Sequence, residues 1–319
     1  MNATHTHHVV VGSGATGRAT ALLLAEEGHR VRIVSRSGTG PVHPHIERVT
    51  ADASIPAELT AITSGAVAIY NCANPQYHQW TTDWPPLAHS LLTAAEASGA
   101  VLATLSNLYG YAPPTRPMLA TDALDTTTVK GRIRADMWAD AKAAHDQSRI
   151  RAVEVRASDF IGPGLGQTSH MGDRVVPRVL AGKPVSLLGR VDVVHSWTAV
   201  DDVARALVTA AASEQAWGRA WHVPSAPPMT QTAMVEEIAR IAGVPPVKVK
   251  TVPRLALSLL GVAVPAMREL KEVLYQFEAP FVMDSSETTE VLGLTHTPIE
   301  ETLRKTVDSY QPQAHAVHG

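Results

Sequence analysis

Cysteine, aromatic residues and long apolar runs are all scarce in this sequence. The one cysteine, Cys72, excludes an intrachain disulfide, which is typical of a protein in a reducing compartment. The longest apolar run, residues 255–264, is far shorter than the ~20 residues that a membrane-spanning helix needs. The first residues lead almost at once into an apolar run and leave no room for a signal peptide. We therefore expect a cytoplasmic protein with no membrane partner.

Strong net charge and metal-ligand motifs are missing as well. The formal net charge is −3 at pH 7, and the basic residues are scattered rather than clustered, so we expect no nucleic-acid partner. The 15 histidines form no HExxH motif or comparable spacing, so we predict no structural or catalytic metal. The expected partner is a small-molecule substrate.

Short apolar runs alternate with helix-length segments through the first half of the 319-residue chain. Such alternation is typical of βαβ units and of a parallel sheet. Strands are predicted at residues 8–11, 30–35, 48–51, 67–72, 101–105 and 151–156. Helices are predicted at residues 15–27, 83–98 and 132–145. The pattern predicts an α/β fold with a doubly wound, Rossmann-like parallel sheet.

The alternation stops near residue 161, where helices and short strands begin to mix. Asp201 is predicted to be the N-cap of a helix at 202–212. The domains predicted from these changes are a dinucleotide-binding domain at 1–165, to which 186–212 returns, a smaller mixed α/β substrate region at 166–311, and a disordered tail at 312–319.

A glycine-rich turn follows the first predicted strand and opens a helix. Residues 12–17 read GSGATG, and their position between strand and helix predicts a pyrophosphate site on the helix N-terminus, where free N–H groups and the helix dipole favour anions. The residues expected to contact the cofactor here are Gly12, Gly14, Ala15, Thr16 and Gly17.

The end of the second strand predicts which dinucleotide is bound. NAD-binding sites usually place a carboxylate there to bind the ribose hydroxyls, whereas an arginine suits a 2′-phosphate. Here Ser35 and Arg36 occupy the strand end with no carboxylate. We therefore predict NADP(H), with an ordinary solvated arginine as the alternative interpretation.

Several further segments resemble one known family. Residues 51–52, 71–74, 107–110, 155–164 and 195–204 are similar to motifs of the extended short-chain dehydrogenases/reductases, in the NAD-dependent epimerase/dehydratase superfamily. The resemblance covers nearly the whole chain. It implies that Asp52 contacts adenine and that Ala73 and Asn74 pass under the cofactor. It also implies a structural role for His195, with a general base as the alternative interpretation.

The resemblance fails at the family's catalytic Tyr-x-x-x-Lys pair. Lys130 and Arg134 stand at the corresponding positions, so the usual general acid is absent and Arg134 is expected to bind the ribose. Tyr109, Lys130 and Ser106 are the candidate catalytic residues. For each of them a plain structural role is the alternative: a packed tyrosine, a solvated lysine and a serine bound to the local backbone.

An aromatic segment at residues 74–84 follows the fourth predicted strand. We predict that Trp80, together with Met171 and Trp197, forms part of an apolar substrate pocket. The alternative is a small core beneath a long loop.

These features together predict an NADP(H)-dependent oxidoreductase that acts on a small, largely apolar carbonyl or alcohol compound. A non-catalytic NADP(H)-sensing protein and a nucleotide-sugar epimerase or dehydratase are the alternatives. The resemblance also suggests a homodimer formed through the helices at 83–98 and 132–145.

Overall fold

The computed structural model describes residues 7–166, 169–252 and 272–311. Its strands are β1 (His7–Val11), β2 (Arg30–Ser35), β3 (Ile46–Thr50), β4 (Ala66–Asn71), β5 (Val101–Ser106), β6 (Arg151–Arg156), β7 (Asp159–Ile161), β8 (Val185–Leu187), β9 (Val194–His195), β10 (Trp197–Ala199), β11 (Ala220–His222), β12 (Met229–Thr230) and β13 (Val249–Thr251). Its α-helices are α1 (Ala15–Glu26), α2 (Pro56–Thr63), α3 (Trp80–Ser98), α4 (Val129–Asp146), α5 (Val176–Leu180), α6 (Val200–Ala212), α7 (Gln231–Ala242), α8 (Ser286–Leu292) and α9 (Ile299–Tyr310).

Seven parallel strands form the central sheet, in the order β11-β6-β5-β4-β1-β2-β3. Both faces of the sheet are buried along its central strands β1, β4, β5 and β6, as is usual when helices cover a parallel sheet. In β1, Val10 packs into the core beneath α1 and α6, whereas Val9 and Val11 pack into the core beneath α2, α3 and α4. The predicted α/β doubly wound fold is confirmed.

Several element boundaries differ from the sequence prediction. The seventh strand, β11, was not predicted because its three residues are too few to show a period. Helix α3 begins at Trp80 rather than at 83, and α4 begins at Val129 because the Thr128 side chain caps it by accepting a hydrogen bond from Gly131 N. Helix α6 begins at Val200, so Asp201 lies in its first turn and is not its N-cap.

The C-terminal part surrounds a third apolar core, which includes Met171 and Trp197. Helices α5, α7 and α9 enclose this core with the short strands β8 and β13. Helix α6 instead packs against α1 on the central sheet. The 312–319 tail and the 255–264 run lie outside the described residues, and the domain limits remain a prediction. Among the described helices, none is both long and apolar enough to cross a bilayer.

Candidate functional site

A cavity of 710 Å³ opens at the carboxyl ends of the central strands. Parallel α/β sheets bind ligands at this edge because the strand order reverses there and leaves a crevice. The reversal lies between β1 and β4, where chain connections diverge to opposite sides. The cavity wall is formed by residues that follow β1, β2, β4, β5 and β6.

The glycine turn forms one wall of the cavity. Gly12 has φ of +101°, and a Cβ there would come within 2.7 Å of Ala73 N. A Cβ at Gly17 would overlap the carbonyl oxygen of Gly12. Gly14 has nothing within 4 Å of its Cβ position, so the turn is open on the side of α1's first N–H groups. Since Gly12, Gly14, Ala15 and Thr16 line the cavity, this cradle fits a pyrophosphate.

The end of β2 carries hydroxyl groups and one cation. Ser35, Arg36 and Ser37 line the cavity. The Thr39 hydroxyl lies 2.8 Å from Ser13 Oγ and 2.9 Å from Ser37 Oγ, and Ser35 Oγ donates to the Thr39 carbonyl. This grouping of hydroxyls beside Arg36 can bind a phosphate.

Asp52 lies on the same wall, beyond β3. Its carboxylate accepts hydrogen bonds from Ser54 N at 3.0 Å and Ser54 Oγ at 2.7 Å. These bonds, with a smaller contribution from the charge of Arg36, lower the pKa of Asp52. The carboxylate is therefore ionised, and it is held by its own turn.

Arg134 reaches the cavity from α4, beside Ala73 and Asn74. Its guanidinium donates to Asn74 Oδ1 and to the Leu105 carbonyl, and it lies 4.1 Å from the centre of the Trp84 ring. Burial lowers its pKa to about 10, so the group remains a cation at neutral pH. Within the residues that the structure describes, its buried Nε has no hydrogen-bond partner. Since Arg134 lines the cavity, its positive charge can attract a polar or anionic ligand atom there.

Two of the three catalytic candidates line the cavity. Ser106 ends β5, and the hydroxyl of Tyr109 lies 2.6 Å from that of Tyr77. Burial raises the pKa of Tyr109 well above its ordinary value, which makes it a poor acid. Lys130 is 2% exposed and does not line the cavity, because its ammonium group donates to Glu272 Oε2 at 2.8 Å.

The three residues predicted to form the substrate pocket do not line the cavity. Trp80, Met171 and Trp197 are at most 3% exposed. Trp80 points into the core because α3 already begins there, and its Nε1 donates to the Pro75 carbonyl. Trp197 Nε1 donates to the Met229 carbonyl. In the structure Trp80 belongs to a buried core beneath this segment, which was the alternative interpretation.

Other residues line that end of the cavity: Tyr77, Leu108, Asp159, Phe160, Leu165, Ser169 and Gln276. Tyr77 belongs to the aromatic segment 74–84 that was predicted to form part of the pocket, whereas the sequence prediction did not include the other six. Asp159 had a usable signal, since it lies shortly after the central strand β6, at the edge where α/β folds bind ligands. Gln276 had none, because it comes from a segment far away in the sequence.

Within residues 7–166, 169–252 and 272–311, no group of three or more His, Cys, Asp or Glu side chains could hold a metal ion.

Residues 9–223 match the model of the NAD dependent epimerase/dehydratase family. The chain belongs to this family. Among curated protein sequences, none matches the chain significantly.

Several solved structures share the fold at low sequence identity. UDP-glucose 4-epimerase from Thermotoga maritima, with UDP-glucose, is 16% identical with a TM-score of 0.80, covering 96% of this chain and 98% of that chain. A double mutant of dTDP-glucose 4,6-dehydratase from Streptomyces venezuelae, with NAD, is 16% identical with a TM-score of 0.77 and coverages of 96% and 97%. The Bordetella bronchiseptica enzyme WbmH, in complex with NAD⁺, is 18% identical with a TM-score of 0.74 and coverages of 96% and 98%.

Proposed function

We propose that this family member is an oxidoreductase that prefers NADP(H) and transfers hydride to or from a small, largely apolar carbonyl or alcohol compound. The observation that carries the proposal is the continuity of the cavity. It runs from the glycine turn and the β2 end to Ser106 and Tyr109 without interruption. Similar structures that contain NAD support a nicotinamide cofactor in general.

The preference for the phosphorylated cofactor rests on Arg36 and its hydroxyl neighbours. A ribose 2′-phosphate needs a cation and hydrogen-bond donors, and a carboxylate at the strand end would repel it. Ser35, Ser37 and Thr39 supply hydroxyls beside Arg36. The carboxylate of Asp52 is already bound to Ser54, so it does not replace the missing strand-end carboxylate.

The rest of the cavity suits an uncharged substrate of modest size. A bound nicotinamide supplies or accepts the hydride. Leu108, Phe160 and Leu165 offer apolar contact, while the Ser106 hydroxyl can donate to a substrate oxygen. Arg134 at the position of the family's lysine can bind the ribose, and Lys130 at the position of its tyrosine is held away by Glu272.

Fluorescence titration with NADPH and NADH tests the cofactor, and NADPH oxidation with a panel of small ketones and aldehydes tests the reaction. We expect tighter binding of NADPH and turnover of at least one carbonyl compound. Tight NADPH binding without any turnover would instead support an NADP(H)-sensing protein.

Nucleotide-sugar chemistry is the second candidate, because the chain belongs to an epimerase/dehydratase family and shares its fold with an epimerase structure that holds UDP-glucose. Incubation with UDP-glucose and NAD⁺, followed by chromatography of the sugar nucleotides, tests it. A new sugar nucleotide would replace the oxidoreductase proposal.

A further inference from the structure

Asp159 places a carboxylate in the wall of the cavity at its substrate end. Its backbone is fixed by β7, where Asp159 pairs with Trp197 of β10. It lies close to the end of β5, since the Ala157 N–H donates to the Ser106 carbonyl at 3.1 Å. The Asp159 carboxylate and the Ser106 hydroxyl therefore follow neighbouring strands and line the same cavity.

The protein holds this carboxylate by one of its two oxygens. His195 Nε2 lies 2.7 Å from Asp159 Oδ2, and the Ser158 hydroxyl lies 3.4 Å from the same nitrogen. Among the residues that the structure describes, Oδ1 has no hydrogen-bond partner in another residue. The Asp159 side chain is 25% exposed and lines the cavity, so Oδ1 is the oxygen that a ligand can meet.

The carboxyl group of Asp159 is ionised at neutral pH. Burial raises its pKa, but its interactions with His195 outweigh burial and leave the pKa below its ordinary value. The nearby tyrosine hydroxyls stay neutral, because burial raises the pKa values of Tyr77 and Tyr109 and the charge of Asp159 adds to the rise. An ionised carboxylate accepts hydrogen bonds and donates none.

An acceptor at this place selects for a donor on the ligand. A carboxylate or phosphate group of a ligand would bring like charges together, whereas a hydroxyl can donate to Oδ1. Ser158, Ser169 and Gln276 line the same end of the cavity and add uncharged polar groups beside Asp159. This set of groups suits a neutral hydroxyl.

We propose that the substrate carries a hydroxyl group in addition to its carbonyl group, and that Asp159 accepts a hydrogen bond from this hydroxyl. Asp159 then determines specificity for a hydroxy ketone or hydroxy aldehyde, or for the corresponding diol in the reverse direction. Leu108, Phe160 and Leu165 contact the apolar remainder of the molecule. The inference rests on the proposed function, because it names the class of carbonyl compound that the oxidoreductase takes.

Three small ketones test the preference for a hydroxyl. Acetone, hydroxyacetone and pyruvate share a methyl ketone and differ in the group on the other side of the carbonyl. Saturation-transfer NMR of the full-length protein, with NADP⁺ and without a cofactor, measures their binding and needs no turnover. Cyclohexanone and its α-hydroxy derivative extend the test to a larger apolar group.

In the wild type we expect hydroxyacetone to bind at least about 10-fold more tightly than acetone, because a charged acceptor strengthens the hydrogen bond. Pyruvate should bind most weakly, since its carboxylate meets that of Asp159. Equal affinities for the hydroxylated and plain ketones in both pairs would overturn the proposal, and so would a preference for pyruvate.

Asp159→Asn retains the shape of the side chain and removes its charge. An amide oxygen is a weaker acceptor than a carboxylate, so the preference for hydroxyacetone over acetone should fall about 10-fold. The asparagine amide can also donate, so pyruvate should bind more tightly than in the wild type. If Asp159 only supported the wall, its replacement would change the affinity for all three ketones alike, and that result would overturn the proposal.

Asp192→Asn is the matched control for the loss of a carboxylate. Asp192 is a surface residue paired with Arg190, so this variant should bind the three ketones in the wild-type order. A shift in Asp192→Asn equal to that in Asp159→Asn would remove the evidence for recognition by Asp159.

NADPH oxidation separates this inference from the proposed function. If plain ketones are reduced with the same kcat/KM as their hydroxylated partners, the inference fails and the oxidoreductase stands. If the hydroxylated ketones bind with the expected preference but no carbonyl compound supports NADPH oxidation, recognition of a hydroxyl by Asp159 stands and the oxidoreductase fails.

Discussion

At its cofactor end the cavity wall depends on neighbouring residues of one stretch of chain, and at its substrate end it is assembled from distant ones. The cofactor end depends on a glycine turn and on hydroxyls that lie within residues 12–39. The substrate end brings together Tyr77, Tyr109, Asp159 and Gln276 from four separate segments. The first end is set by local conformation, whereas the second exists only when distant segments have packed together.

Removal of Trp80 should have the largest effect on folding. The side chain lies in the core beneath the substrate end and is 1% exposed, so Trp80→Ala leaves a cavity. We expect a loss of about 3–5 kcal/mol in the free energy of unfolding, measured by urea denaturation. If stability held and only substrate binding weakened, Trp80 would belong to the pocket after all. Trp138→Ala is the control, because Trp138 on α4 is only partly buried, and it should lower the free energy of unfolding by a smaller amount.

Two alanine substitutions in the glycine turn should distinguish backbone strain, which lowers stability, from loss of space for the cofactor, which lowers affinity. In Gly12→Ala the Cβ meets the backbone of Ala73 at a φ of +101°, so we expect a loss of about 3 kcal/mol in stability. Gly14→Ala has open space and a φ of −70°, so its stability should hold. NADPH affinity should fall in the second variant because the added methyl occupies the pyrophosphate cradle. Equal stability of the two variants would contradict this account of the turn.

His222 is a buried histidine whose effect on stability can be measured as a function of pH. Its Nε2 lies 2.8 Å from the Tyr111 hydroxyl, which donates, and its Nδ1 faces the Asp284 carbonyl, so the neutral ring is fully satisfied. Burial lowers the pKa of His222 to about 4. The unfolded chain binds this proton near pH 6.5, so stability should fall as the pH drops from about 6.5 to about 4.

We expect the titration of His222 to lower the free energy of unfolding by up to about 3 kcal/mol between about pH 6.5 and about pH 4. His8 contributes in the same direction, because burial lowers its pKa to about 4 as well. The difference between the wild type and His222→Gln isolates the His222 share, measured by urea denaturation from about pH 7 to about pH 4. Identical pH slopes for the two proteins would show that His222 is not buried neutral.

Removal of the positive charge at the end of β2 should have the smallest effect. We expect it to change the binding of NADPH only. Arg36→Ala should weaken NADPH binding about 10-fold to 30-fold, since it removes an ion pair with the 2′-phosphate. NADH affinity should stay unchanged. Arg30→Ala, at the opposite end of the same strand, is the control and should affect neither titration. Equal losses for both cofactors would remove the basis for an NADP(H) preference.

The difference between the cofactor end and the substrate end of the cavity also explains which features the sequence could predict. The glycine turn, the β2 end and the alternating strands are contiguous patterns, so the fold and the position of the cofactor end follow from local rules. Trp80 was misplaced because its orientation depends on where α3 begins, and that start is fixed by packing. Lys130 was misplaced because Glu272, which holds it, lies 142 residues away. The link between Asp159 and His195 spans 36 residues and leaves no local pattern.

Residues 272–283 touch three elements that surround the substrate end, one after another. Glu272 binds Lys130 on α4, the Gln276 carbonyl meets His195, and Met283 pairs with Met118 in the loop beyond β5. None of these contacts involves the glycine turn or the end of β2. Mutations in this one segment can therefore change which substrate is accepted while nucleotide recognition is preserved, so the two specificities are free to evolve separately.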